Sequence, residues 1–326
     1  MANIKTKYLG LDINSPIIVS SSGISKDIDK IIKAAKYGAG AIVLKSLFEE
    51  QIKNEVNKAI ADTTHDYPEV EDYIRNYSRQ NSVNEYIQLI KTAKKELDIP
   101  VIASINCTSD EEWTSFAKEI ENAGADAMEL NIYILPNNIH LESREIEEKY
   151  FNIVKTIKEK ITIPVAVKLG NHITNLPWFI NQLKIRGADA ITLFNRFYIP
   201  DINIENMEMV SGNPFSNESE IRESLRWTGL ISGMIDIEIS TSTGVHSGEG
   251  VIKQLLAGAQ TVQVCSVLYK KGVQSIEGMI DDLQKWMTKN KYRNIEDFRG
   301  KLSYSNISDP LKYERAQYIK HVSSLE

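Results

Sequence analysis

Two lysines in this sequence each close an apolar run: Lys45 follows AIVL and Lys168 follows VAV. An ammonium that starts beside buried strands is costly without a counter-charge, so a bound anion or an electron-rich ring would justify each. Three asparagines, Asn106, Asn131 and Asn195, end similar runs, IPVIASIN, GADAMELN and GADAITLFN. Lysine supplies cationic donors and asparagine both a donor and an acceptor, so the set suits a polar, partly anionic ligand. The bland alternative is that a strand turns polar as it leaves the core, and a lone asparagine there simply starts a loop. Ser21, Ser22 and Ser46 stand at equivalent places, as do Ser240 to Thr243 and Cys265 with Ser266. The segment STSTGVHSGEG (240–250) puts small residues ahead of a helix start, and VCSVL (264–268) does something similar. Backbone N–H groups in such segments make an anion site.

The elements that must position these residues repeat themselves. GAGAIVLKS (38–46), GADAMELN (124–131), GADAITLFN (187–195) and GAQTVQVCS (258–266) share a helix end, a Gly-Ala and an apolar run. IPVIASIN (99–106), IPVAVKL (163–169), PIIVSSSG (16–23) and DIEISTSTG (236–244) bring the strand candidates to eight. Glycine ends a helix in the left-handed conformation. Continuous apolar runs suit parallel strands buried on both faces. Alternation with helices calls for right-handed crossovers, and eight such units close a TIM (β/α)8 barrel whose strand C-termini converge on one mouth. An open doubly wound sheet is the competitor, but the first strand ends SSSG rather than G-x-G-x-x-G. Ser25, Ser109 with Glu112, and Ser247 are the expected helix starts, and Gly38 and Gly258 the expected stops. We expect one domain over 1–326, with long polar insertions at 47–85 after strand two and 199–226 after strand six, and an extension at 291–326.

The 326 residues are 42% hydrophobic, with 44 acidic against 38 basic side chains and a net charge of −6. No basic surface for nucleic acid follows from that balance. No run is long and apolar enough for a transmembrane helix, and MANIKTKYLGLDINSP has no apolar signal core. Cys107 and Cys265 cannot build a disulfide framework. A cytoplasmic, reduced protein is the expectation. His65, His140, His172 and His246 have no metal-ligand spacing; His172 falls near the mouth after strand five, and His246 follows the anion turn. Cys107 falls at the mouth of strand three, whereas Cys265 sits in an apolar strand and reads as a core thiol.

In this order, SSG on strand one, a Lys-Ser pair ending strand two, ELN on strand four, VKL on strand five, a Thr-Gly pair after strand seven and a small pair on strand eight, the chain resembles the class 1 dihydroorotate dehydrogenases. KYRNIEDFRGKL (291–302) resembles their closing segment. The likeness is closer still to a divergent branch of dihydroorotate dehydrogenase-like proteins, through LFEEQ (47–51), ELNIY (129–133), LFNRFYIPDI (193–202) and ERAQYI (314–319). The resemblance implies flavin mononucleotide (FMN) as cofactor and dihydroorotate oxidation in pyrimidine biosynthesis. Ser21, Ser22 and Gly23 would then lie against the flavin ring, with Lys45, Ser46 and Asn106 near it. Lys168 would stabilise the reduced ring. Asn131 and Asn195 would face substrate and flavin, while Thr243, Gly244, Cys265 and Ser266 would bind the phosphate. A homodimer with a small-molecule substrate is implied, as is an electron-transfer or oxidoreductase partner.

The family places its catalytic Cys, or Ser, three residues after the strand-four asparagine. Here that residue is Ile134, which cannot accept a proton, and Tyr133 beside it is a poor base at neutral pH. The substrate loop has at best a remnant in NSVNEY (81–86), and Arg196 and STST stand where glycines are usual. Three readings stay open: a flavin oxidoreductase on this or another substrate; a non-catalytic flavin-binding or empty barrel accessory to another enzyme; and a lyase or aldolase using Lys45 or Lys168 as a Schiff-base amine.

Overall fold

Each of the eight apolar runs becomes a parallel strand in the computed structural model, which describes residues 2–50, 52, 54, 68–107, 110–197, 200–310 and 313–314. A hairpin of β1 (Thr6–Tyr8) and β2 (Leu11–Ile13) comes first. The barrel strands are β3 (Ile17–Val19), β4 (Ala41–Val43), β6 (Val101–Asn106), β7 (Ala127–Asn131), β8 (Val165–Leu169), β9 (Ala190–Leu193), β12 (Glu238–Ser242) and β13 (Thr261–Val264). Short β5 (Leu47–Phe48) continues the second unit, and pairing of β4 with β6 closes the ring. The architecture is the (β/α)8 barrel expected from the repeat.

Helices surround it: α1 (Ile28–Lys36), α2 (Pro68–Glu96), α3 (Asp110–Asn122), α4 (Ser143–Lys158), α5 (Leu176–Ile185), α6 (Ile221–Ile231), α7 (Gly248–Ala257), α8 (Ser266–Lys271) and α9 (Ser275–Lys289). Ser247 caps α7 as expected, its side chain accepting from the Gly250 N–H, and Gly258 ends it at φ 118°. Ser25 does not cap α1. Asp27 does, accepting from the N–H groups of Asp29 and Lys30, because a 3-10 turn over Ile24–Lys26 precedes the helix. The capping box at Ser109 lies outside the described residues. The described parts of the insertions include regular structure. α2 starts inside 47–85, and 199–226 holds a hairpin of β10 (Pro200–Asn203) and β11 (Glu208–Ser211) plus the start of α6.

Packing follows strand alternation. Ile18, Ala41, Val43, Ile102, Ala127, Ala166 and Ala190 form an inner apolar cluster with Tyr8, Leu9 and Ile13 of the hairpin, which thus plugs the N-terminal end. Alternate residues such as Ile42, Met128, Val167 and Ile191 join the larger core beneath the helices. Two residues further along the inward-facing register, the interior turns polar: Ser20, Ser104, Glu129, Lys168 and Thr192 are all buried. The barrel thereby offers a polar layer directly below its mouth. Among the described residues, no helix is long and apolar enough to cross a membrane.

Candidate functional site

Lys168 stands in the polar layer, its side chain 6% exposed. Its Nζ donates to Ser20 Oγ (3.2 Å) and to Gln263 Oε1 (3.3 Å). Ser20 follows β3 and Lys168 is on β8, strands that do not pair, so this contact crosses the barrel interior. The sequence reading wanted a ligand to justify this buried cation. The structure supplies a carboxylate instead: Glu129 Oε1 lies 3.5 Å from Lys168 Nζ. Glu129 Oε2 accepts from Thr192 Oγ1 (2.9 Å) and Gln263 Nε2 (2.5 Å). Glu129 and Gln263 escaped the sequence reading. A lone acid two residues before Asn131 in a buried strand was the available signal.

Above this layer, Lys168, Ser20, Ser21, Asn195, Gln263 and Cys265 line a cavity of about 140 Å³ together with Thr243, Gly244 and Ser266. Asn195 Nδ2 donates to Asn131 Oδ1 at 2.7 Å, so these two close on each other. Cys265 is at the cavity wall rather than in the core; burial pushes its thiol up, partly countered by Lys168. Thr243 takes φ 75° and donates its hydroxyl to the Phe194 carbonyl. Gly244 takes φ 79°, and a Cβ there would come 2.1 Å from the Ile221 nitrogen, so a side chain cannot be accommodated.

The donors expected to bind an anion are held by Ser216, a buried residue of the second insertion. Ser266 Oγ accepts from the Ser216 N–H (3.0 Å), and the Gly244 N–H points at Ser216 Oγ (3.4 Å). Ser216 Oγ is 2.9 Å from His246 Nε2, and Lys270 Nζ donates to the Ser216 carbonyl (2.7 Å). Arg196 donates to the Pro214 carbonyl and to Glu220. Burial, then Lys270, holds the His246 imidazole below the ordinary histidine range.

Ser21, Ser46 and Ser104 form a hydroxyl chain: Ser46 Oγ is 3.1 Å from Ser21 Oγ and 2.7 Å from Ser104 Oγ. Ser22 Oγ accepts from the Ile24 N–H, and the Tyr269 hydroxyl packs where a Cβ on Gly23 would sit. Lys45 does not join Lys168. It lines a separate cavity of about 370 Å³ between α1 and α2, with Lys26, Phe48 and Glu85. The reason is a break in the ladder. β4 pairs with Val101 and Ile102 of β6 and the Leu44 N–H still bonds the Ile102 carbonyl, then Lys45 and Ser46 step away before β5 resumes at Ile105. The Tyr86 hydroxyl fills the gap, accepting from the Ser104 N–H (2.8 Å) and donating to its carbonyl (2.9 Å). That slip gives Ser46 the inward register that Val43 leads to, and turns Lys45 out. Asn106 ends β6 beside Phe48, and Cys107 is buried; neither lines the cavity that holds Lys168.

Over the strand ends sits an aromatic group. Tyr133 stacks on Phe197 at 4.1 Å, and His172 meets Tyr133 edge-on at 6.0 Å. A Cβ on Gly170, just past β8, would lie 2.7 Å from Phe197 and 2.8 Å from His172, so both rings close against that strand end. Burial lowers the His172 pKa. Ile134 packs against the helix-side core while its N–H donates to the Tyr150 hydroxyl. Phe197 is a further residue that sequence reasoning passed over.

A family model described as "Dihydroorotate dehydrogenase" matches residues 3–287. The chain is 25% identical over 302 residues to "Dihydroorotate dehydrogenase B (NAD(+)), catalytic subunit" of Pyrococcus furiosus, covering 91% of this chain and 98% of that protein. It is 24% identical over 307 residues to the protein so named from Methanocaldococcus jannaschii, covering 91% and 97%. For Thermoplasma acidophilum the identity is 24% over 306 residues, covering 92% and 99%.

Proposed function

The chain belongs to the dihydroorotate dehydrogenase family, and on that premise we propose that it is an FMN-dependent oxidoreductase that oxidises a carbon–carbon single bond of a small polar substrate. Dihydroorotate is the first substrate to try. The observation that carries the reading is the buried Lys168 ammonium in one cavity with the Thr243–Gly244 turn and Ser266.

The donor chemistry fits the cofactor. A fixed cation suits the ring end of a flavin, and the Gly244 N–H with the Ser266 hydroxyl suits its phosphate end. Room is the condition. A cavity of about 140 Å³ is smaller than a mononucleotide requires, so the Pro214–Ser216 segment must yield. His246 and Lys270, which now hold Ser216, would then bear on the phosphate as well. When bound, FMN supplies a two-electron acceptor for hydride.

The protein's own residues do the rest. Ser20 and Gln263 orient the Lys168 ammonium toward the mouth. Asn131 and Asn195 offer amide donors and acceptors to a substrate once they release each other. The Tyr133–Phe197 pair covers the strand ends and keeps water from them. His172, beside the Tyr133–Phe197 pair just past β8, is our candidate to accept a substrate proton, since partial desolvation lowers its pKa and so favours the neutral imidazole. We assign it the base role that Ile134 cannot perform. Relatives are named for NAD(+) and as catalytic subunits, so a separate electron-transfer partner is part of the proposal, as is the homodimer that the resemblance to class 1 enzymes implies.

The test is anaerobic addition of dihydroorotate to the FMN-loaded protein. Loss of the oxidised flavin bands supports the reading. Persistent bands, in protein that dithionite does bleach, would mean the substrate is another one.

A further inference from the structure

We propose that Glu129 tempers the positive field that Lys168 sets at the mouth. The proposal rests on the flavin reading above. Glu129 lies behind the cation: Lys168, Ser20 and Gln263 line the mouth cavity, and Glu129 does not. Its side chain is 1% exposed. Its Oε2 accepts two hydrogen bonds, from Thr192 and Gln263. Its Oε1 accepts none, and faces Lys168 Nζ at 3.5 Å. Gln263 ties the two charges together, with its amide nitrogen on Glu129 and its amide oxygen on Lys168 and Ser20.

This arrangement has two consequences. Removing one member of a buried pair leaves the other uncompensated, so Glu129 offsets the cost of burying the Lys168 ammonium in the barrel. The carboxylate also subtracts from the field that the ammonium projects upward, because a ligand at the mouth feels both charges, with the negative one farther away. A ring that accepts electrons there meets a cation whose pull is moderated rather than full. Glu129 thereby limits how easily the bound ring is reduced, without touching it.

The experiment compares wild type, Glu129→Gln, Lys168→Met and the double variant, each loaded with FMN, by equilibrating the flavin with a redox dye. Glutamine keeps the shape and removes the charge. Glu129→Gln should shift the reduction equilibrium toward reduced flavin by roughly tenfold. In the Lys168→Met background the same change should shift it by a similar factor, since the two charges act on the ring independently. Glu129→Asp, which keeps the charge, should resemble wild type and shows that any fold loss in the glutamine variant is not the cause. An unchanged or opposite shift in Glu129→Gln overturns the proposal, as does a shift that disappears with Met at 168. Wild-type protein that takes up no FMN would instead sink the functional reading on which this one stands.

Discussion

Lys168 and His172 carry the most specific expectations at the scale of single residues. Lys168→Met removes the buried cation from the mouth and strands Glu129. Flavin retention after gel filtration should drop, and the remaining flavin should be harder to reduce; unchanged retention and potential would refute the placement. His172→Asn should lower substrate-driven flavin reduction by about 10²-fold or more if the imidazole is the base. The sign of the pH dependence follows from burial. The folded imidazole titrates below the ordinary value of about 6.5, so the wild-type rate should be flat above that value and fall only at more acid pH. A rate that still rises steeply above pH 7 would assign the base elsewhere. Asn131 and Lys168 were legible because each falls in register with the barrel interior at the end of an apolar run, and Asn195 because it closes one. Glu129 was harder to read, since its role depends on Gln263 and Thr192, which approach from other strands. Ser216 was invisible, because nothing local says that an insertion returns to the anion donors.

Elements decide which predicted side chains reach the site. Lys45 follows the strand pattern as well as Lys168 does, yet the ladder breaks between β4 and β5 and turns it away. That break depends on Tyr86 of α2, too distant in sequence for periodicity to reveal. Its hydroxyl satisfies both backbone groups of Ser104, and burial pushes the phenol up, so it stays a donor. Tyr86→Phe should cost about 1–3 kcal/mol, because buried backbone groups lose their partner. It should also loosen the Ser21–Ser46–Ser104 chain; an unchanged urea midpoint would show that water takes over. A second tie joins α3 to the approach of β8. Glu121 accepts from Thr162 and Ile163, and is held near pKa 2 chiefly by Lys118. A carboxylate with a depressed folded pKa stabilises above its unfolded value and loses that contribution as pH falls. Stability should therefore decline from the ordinary glutamate range down toward pH 2. Glu121→Gln should lower stability at pH 7 and flatten that acid decline; parallel curves would discount the tie.

The whole molecule is a barrel whose lower interior is sealed and whose upper interior is charged. The hairpin residues Tyr8, Leu9 and Ile13 close one end, and the polar layer opens toward the other. This asymmetry was readable from the repeat, because every strand changes from apolar to polar in the same direction. The conformation of the insertions was not readable, since their place depends on contacts with strand ends far away. The proposed flavin requires Pro214–Ser216 to rearrange, because Ser216 is bonded to the Gly244 N–H and the Ser266 hydroxyl. The most direct measurement is the absorption spectrum of purified protein incubated with excess FMN and then freed of unbound ligand, with Gly244→Ala in parallel. The account expects flavin bands that persist in wild type and are lost in Gly244→Ala, whose Cβ cannot fit beside Ile221. Colourless wild-type protein would contradict it, and would leave the barrel as a binding or lysine-based scaffold rather than a flavoprotein.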